Sequence, residues 1–194
     1  MSKGRLEPFS DGVIAIIITI MVLEMKVPRG ADLENLRPLI PVFLSYVLSF
    51  VFLGIYWNNH HHLLQAARHV DGRILWCNLH LLFWLSLTPF ATAWMGGNNF
   101  AAFPVALYGG VLLLAAVAYF ILARALVARH GEDSALAAAL GRDFKGKVSL
   151  VIYAVAIPSA FMSSWAACAL YVVVAIVWLI PDRRIERALT ERAS

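Results

Sequence analysis

The sequence predicts an all-α integral membrane protein with six transmembrane helices, and three observations carry that expectation. Hydrophobic residues make up 61% of the 194-residue chain, charged residues only 14%, and the mean hydropathy is +0.74, far more apolar than an ordinary soluble domain. The apolar residues fall in runs long enough to span a bilayer of about 30 Å. The basic residues fall almost entirely on alternate connections, as the positive-inside rule requires. The spans use up the length, so residues 1–194 are expected to form a single six-helix domain.

The first span is predicted over residues 8–26, where the polar head Arg5-Leu6-Glu7-Pro8-Phe9-Ser10-Asp11-Gly12 runs into eleven residues whose one polar side chain is Thr19. Pro8 to Met25 is eighteen residues, about 27 Å of helix, which places Asp11 inside the membrane boundary. An ionisable group at that depth costs several kcal/mol unless it is partnered, so a buried network or a wet path is expected around it. No small-residue cleavage site follows, since Glu24 and Lys26 stand there, and the segment is expected to be retained as a spanning helix.

The second span, residues 37–57, opens with Pro38 and Pro41 and closes on the interfacial pair Tyr56-Trp57. The third, residues 74–95, carries Trp76, Asn78, His80, Ser86, Thr88 and Pro89, more polar groups than a helix surrounded by lipid tolerates, so it is expected to face protein. The fourth, residues 103–128, contains Gly109-Gly110, which permits close helix approach. Residues 148–181 are apolar throughout, but one helix of that length would measure about 50 Å, too long for one crossing. Pro158 and Ser163-Ser164 offer a break, giving spans over 165–181 and 148–162. Basic residues flank this stretch on both sides, which fits two crossings and not one.

Thirteen of the sixteen Lys and Arg residues then share one face, so both termini are expected in the cytoplasm. The net charge of +4 and pI near 9.3 follow from that asymmetry and point to no nucleic acid, because the basic residues lie in four separate segments. The tail Asp182 to Ser194 reads as the solvated end of the sixth helix. Cys77 and Cys168 sit in apolar stretches without metal-ligand spacing, and no disulfide is assigned.

Several groups carry chemistry. In the head, Arg5 lies six residues before Asp11, on a neighbouring turn, with Phe9 and Ser10 between them and Asn78 and His80 of the third span as partners. This reads as a polar network that locks helix packing. Ile16, Ile20 and Leu23 recur at i, i+4 and i+7 with Thr19 alongside, but every face of such a helix is apolar, and the spacing alone leaves packing or lipid contact open. His60-His61-His62, with His69 nearby, reads as an interfacial polar cap ahead of a metal site, because consecutive helical residues point about 100° apart. A pH-sensing role stays open. A membrane enzyme built on that triplet would require bound metal; no enzyme activity and no cofactor are expected. No helix has the Arg repeat of a voltage sensor.

Arg5-x-x-x-Phe9-Ser10-Asp11-Gly12, Tyr56-Trp57-Asn58-Asn59-His60-His61, Trp76-Cys77-Asn78-Leu79 and Leu85-Ser86-Leu87-Thr88-Pro89-Phe90 resemble, in order, the transmembrane protein 175 family of potassium channels. Spans four to six match it only in length and hydrophobicity. The resemblance implies a single-repeat, bacterial type of channel in the plasma membrane, a homotetramer whose first helix lines a central pore. By motif position it implies a constriction at Ile16, further apolar layers at Ile20 and Leu23, a nearby hydroxyl at Thr19, and a bracket made of Arg5, Ser10 and Asp11. Potassium would be the permeant ion and the lipid bilayer the surroundings. A ring of isoleucine has no oxygen to replace a hydration shell, so selection would act on how readily an ion sheds water, and closure would follow dewetting. A leak-like potassium-permeable channel is the expectation. A proton-coupled or proton-conducting transporter using Asp11 and His80 is the alternative.

Overall fold

The computed structural model describes residues 3–67, 69–131 and 144–179. Among the described residues every regular element is a helix. Helix α1 runs Lys3–Leu23, a 3-10 turn follows over Leu33–Leu39, and then α2 Ile40–Ala66, α3 Gly72–Ser86, α4 Thr88–Gly97, α5 Ala102–His130, α6 Phe144–Ser159 and α7 Ser164–Leu179. Four stretches, Gly4–Leu23, Leu33–Ala66, Gly72–Gly97 and Ala102–His130, are long and apolar enough to cross a membrane, and Ser164–Leu179 is a shorter apolar helix. Arg68, Arg142, Arg183, Arg184, Arg187 and Arg192, all part of the charge pattern, lie outside the described residues, as do residues 180–181 of the expected sixth span and the tail after it.

Three expected boundaries change. The first helix begins at Lys3 and ends at Leu23, so the polar head is the opening turns of the helix and Glu24 to Lys26 lie beyond it. Pro8 is tolerated because a proline near a helix start removes few backbone bonds. The second helix does not stop at Trp57 but continues to Ala66. Residues 58 to 66 contain no Gly or Pro, so the histidine triplet is helical. The third span is two helices: α3 ends at Ser86 and α4 starts at Thr88, because Pro89 has no N–H for the Leu85 carbonyl and its ring crowds that group. Asp71 starts α3, its Oδ1 accepting the Ile74 N–H at 2.9 Å, as an N-cap does.

The break in the last apolar stretch falls at Ala160 to Ser163, between α6 and α7, next to Pro158 and the serine pair. A Cβ on Gly109 would overlap the Tyr171 hydroxyl, whereas one on Gly110 would meet nothing, so Gly109 is the residue that lets α7 approach α5. Gly96 does the same for α4 and α2, where a Cβ would strike Ser45 Oγ and the Val42 Cα.

Two apolar cores result. One joins Leu6, Ile14, Ile17 and Met21 of α1 to Leu63 and Leu64 of α2, Leu81 and Leu85 of α3 and Leu122 and Leu126 of α5. The other packs Tyr108 of α5 with Met95 of α4, Tyr153 of α6 and Tyr171 of α7. Helix α1 rests on α2, α3 and α4, and α5 carries α6 and α7 on its other side.

Candidate pore helix and its bracket

Helix α1 has two unlike faces. Leu6 (2% exposed), Ile14 (1%), Ile17 (4%) and Met21 (2%) are buried, while Ile16 (58%), Ile20 (41%) and Leu23 (79%) stand open. Phe9, Gly12 and Thr19 share the open face. The Thr19 hydroxyl donates to its own helix, at Ile16 O, 2.9 Å. Such a bond keeps the hydroxyl from unbalancing an apolar stripe. The open stripe borders a groove that also takes in Glu24, Ser86, Pro89 and Phe90.

The buried face carries the bracket. Ser10 is fully buried and donates to Leu6 O at 2.9 Å, which leaves its oxygen free to accept from Asn78 Nδ2, also at 2.9 Å. The Asn78 amide is thereby oriented, and its Oδ1 faces His60 Nε2 at 2.7 Å. His60 Nε2 must therefore carry the proton, since Oδ1 can only accept. Three helices, α2, α3 and α1, are joined by one directed run of bonds in a core where an unmade bond is expensive. His60 Nδ1 is buried without a partner among the described residues.

A second set of contacts lies nearer the surface. Trp57 Nε1 donates to Asp11 Oδ1 at 3.0 Å, the Trp57 ring stacks on His61 with centroids 5.9 Å apart, and His61 Nδ1 reaches Glu7 Oε1 at 3.2 Å. Four residues of α1 and α2 thus interlock beside the buried run.

Of the predicted network, Ser10 and Asn78 are brought together directly and Asp11 is placed beside them, bonded to Trp57. Arg5, Phe9 and His80 are not brought in. Arg5 and Phe9 are exposed. Arg5 and Asp11, six residues apart, point about 120° from each other round the helix, so adjacent turns do not give a shared face. His80 is exposed and its Nε2 accepts from Trp84 Nε1 at 2.9 Å. Asn78 and His80 are two residues apart and point about 160° from each other, so only one of them can face α1. Sequence reasoning missed Trp57, His60 and the Glu7–His61 pair; the usable signal was Trp57 and His60 at i, i+3 on one helix face. Among the described residues no group of three His, Cys, Asp or Glu side chains that could hold a metal ion is found.

Residues 5–89 match the family model described as the endosomal/lysosomal potassium channel TMEM175. A potassium channel of Chryseobacterium sp. (strain P1-3) is 53% identical over 191 residues, covering 98% of this chain and all of the relative. The crystal structure of a lysosomal potassium-selective channel TMEM175 homologue from Chamaesiphon minutus superposes with a TM-score of 0.79 at 30% identity, over 92% of this chain and 96% of that one. An endosomal/lysosomal proton channel TMEM175 of Danio rerio is 27% identical over 135 residues, 67% of this chain and 25% of the relative. With this polar bracket behind an apolar helix face, and with relatives that match it end to end, the chain belongs to the TMEM175 channel family.

Proposed function

We propose that the chain is the subunit of a homotetrameric potassium channel of the plasma membrane, with both termini in the cytoplasm and α1 lining an axial path. The observation that carries this is the open stripe Ile16, Ile20 and Leu23 on a helix whose opposite face is closed. A closed ring of four copies around one axis places one such stripe from each copy at the centre. Exposed apolar residues rimmed by polar ones otherwise mark an interface.

Ile16 forms the narrowest ring in this reading, Ile20 and Leu23 the layers beyond it, and Thr19 the nearby hydroxyl. None of the three apolar residues offers an oxygen to a dehydrating ion. Potassium holds its water more loosely than sodium, so a narrow apolar ring penalises sodium more, and the same ring closes when it dries. Arg5 and Phe9, exposed on the single chain, are placed to meet a neighbouring subunit, while Ser10 and Asp11 hold the helix from behind. Conduction is leak-like and needs no cofactor.

Cation flux into liposomes containing the purified protein tests this. Potassium flux in the wild type and a changed potassium-to-sodium ratio in Ile16→Asn are expected. Absence of cation conductance, or a ratio indifferent to Ile16→Asn, sinks the pore assignment.

The second reading, proton conduction through Asp11 and His80, draws on the proton-channel relative. Those two side chains do not meet here: Asp11 is bonded to Trp57 and His80 to Trp84. Potassium permeation therefore stands first.

A further inference from the structure

Behind the last turn of α1 lies a buried hydroxyl cluster that the polar bracket does not include. Ser49 of α2, Thr92 of α4 and Tyr108 of α5 are 0%, 3% and 0% exposed. Ser49 Oγ is 2.6 Å from Thr92 Oγ1 and 3.0 Å from Tyr108 Oη, and it reaches the Ser45 carbonyl at 2.9 Å. Thr92 Oγ1 in turn stands 3.9 Å from the sulfur of Met21, the last buried residue of α1. Gly96, one turn beyond Thr92, is what brings α4 close enough to α2 for these hydroxyls to meet.

The proton count limits what this cluster can do. Four links share three hydroxyl protons. When Thr92 donates to Met21, its oxygen accepts from Ser49, and the Ser49 proton is not available to the Ser45 carbonyl. When Ser49 donates to that carbonyl, Thr92 donates to Ser49 and the sulfur loses its donor. Tyr108 donates to Ser49 in both. Each arrangement makes three bonds, and they differ in whether Met21 is held.

Met21 is one residue from Ile20 and two from Leu23 in the final turn of α1. Leu23 projects about 200° round the helix from Met21, so a hold on the buried side sets where the open side stands. We propose that Thr92 is a positioning residue for the far end of the pore helix, acting through the Met21 sulfur on the ring formed by Ile20 and Leu23. This rests on the reading of α1 as the pore-lining helix. The inner end of α1 is then fixed by Ser10 and Asn78, and the outer end is held by a contact that has an alternative. A thioether is a weak acceptor, which suits a hold that can be released.

The test is the potassium-to-sodium flux ratio in liposomes for Thr92→Val, Thr92→Ser, Met21→Leu and the double variant Thr92→Val/Met21→Leu, with Ile16→Asn as reference. Val keeps the shape of Thr without the proton, and Leu keeps the bulk of Met without the sulfur. Each single change is expected to move the ratio by roughly two- to fivefold, the double no further than either alone, and Thr92→Ser to stay at the wild-type value. A wild-type ratio in Thr92→Val, or additive effects in the double, overturns the proposal while a shifted Ile16→Asn ratio leaves the pore reading standing. An unshifted Ile16→Asn overturns both. Should Thr92→Val fail to assemble, Met21→Leu decides alone, because it leaves every hydroxyl of the cluster in place: a wild-type ratio there overturns the proposal.

Discussion

The two faces of α1 are built on opposite principles, though the same helix carries both. The buried face is satisfied within one chain: Ser10 has Asn78, Asn78 has His60, and Ile14 and Ile17 pack into a core. The open face is left largely uncovered by the described residues of one chain, with Ile16 at 58% and Leu23 at 79% exposure. Side chains that complete their bonds inside a subunit hold its shape. In the proposed reading, a stripe left incomplete there is available to an assembly and to the ion it conducts. The large costs in stability should therefore fall on the buried face and direct contact with the permeating ion on the open one, and substitutions can be ranked on that basis.

The largest expected effect is on the buried face. Asn78→Leu removes the acceptor of His60 and the donor to Ser10 and leaves both buried, which costs about 2–4 kcal/mol. Thermal unfolding in detergent should record it as a clear drop in melting temperature; an unchanged melting temperature would break the contrast. Trp57→Phe keeps the stacking surface on His61 but deletes the bond to the half-exposed Asp11. A loss of roughly 0.5–1 kcal/mol is expected, and a loss as large as that of Asn78→Leu would move the bracket from the core to the rim. Ile16→Asn lies on the open face and should shift subunit unfolding by no more than about 0.5 kcal/mol, even though the flux ratio changes.

The helical architecture was legible because composition and span length dictate it, and the break between α6 and α7 was legible because one 34-residue helix is too long for a bilayer. The interruption at Leu87 was not read, although Pro89 was visible, because a proline inside an apolar run is compatible with either a kink or an end. The bracket was half legible. Ser10 stood out as part of the polar head and Asn78 as a polar group in an apolar span, but the choice of Asn78 over His80, and of Trp57 over Arg5 as the partner of Asp11, depends on helix rotation that spacing fixes only once the facing helix is known. The continuation of α2 to Ala66 hid His60, since a triplet set beyond a span end reads as a solvated cap. The hydroxyls of Ser49, Thr92 and Tyr108 come from three helices far apart in the chain, and nothing local marks them as neighbours. Which face of α1 stays open was the least legible part, because an apolar helix offers the same spacing on every side.

The central claim is that the open face of α1, and not its buried face, lines the conduction path. With Cys77 and Cys168 replaced by Ala, single cysteines placed at 16, 17, 20 and 23 can be challenged with a small thiophilic cation such as silver during liposome potassium flux. Block at Ile16→Cys, Ile20→Cys and Leu23→Cys, with flux unaffected at Ile17→Cys, is the result expected. Block at Ile17→Cys with none at the other three would contradict the assignment of the faces.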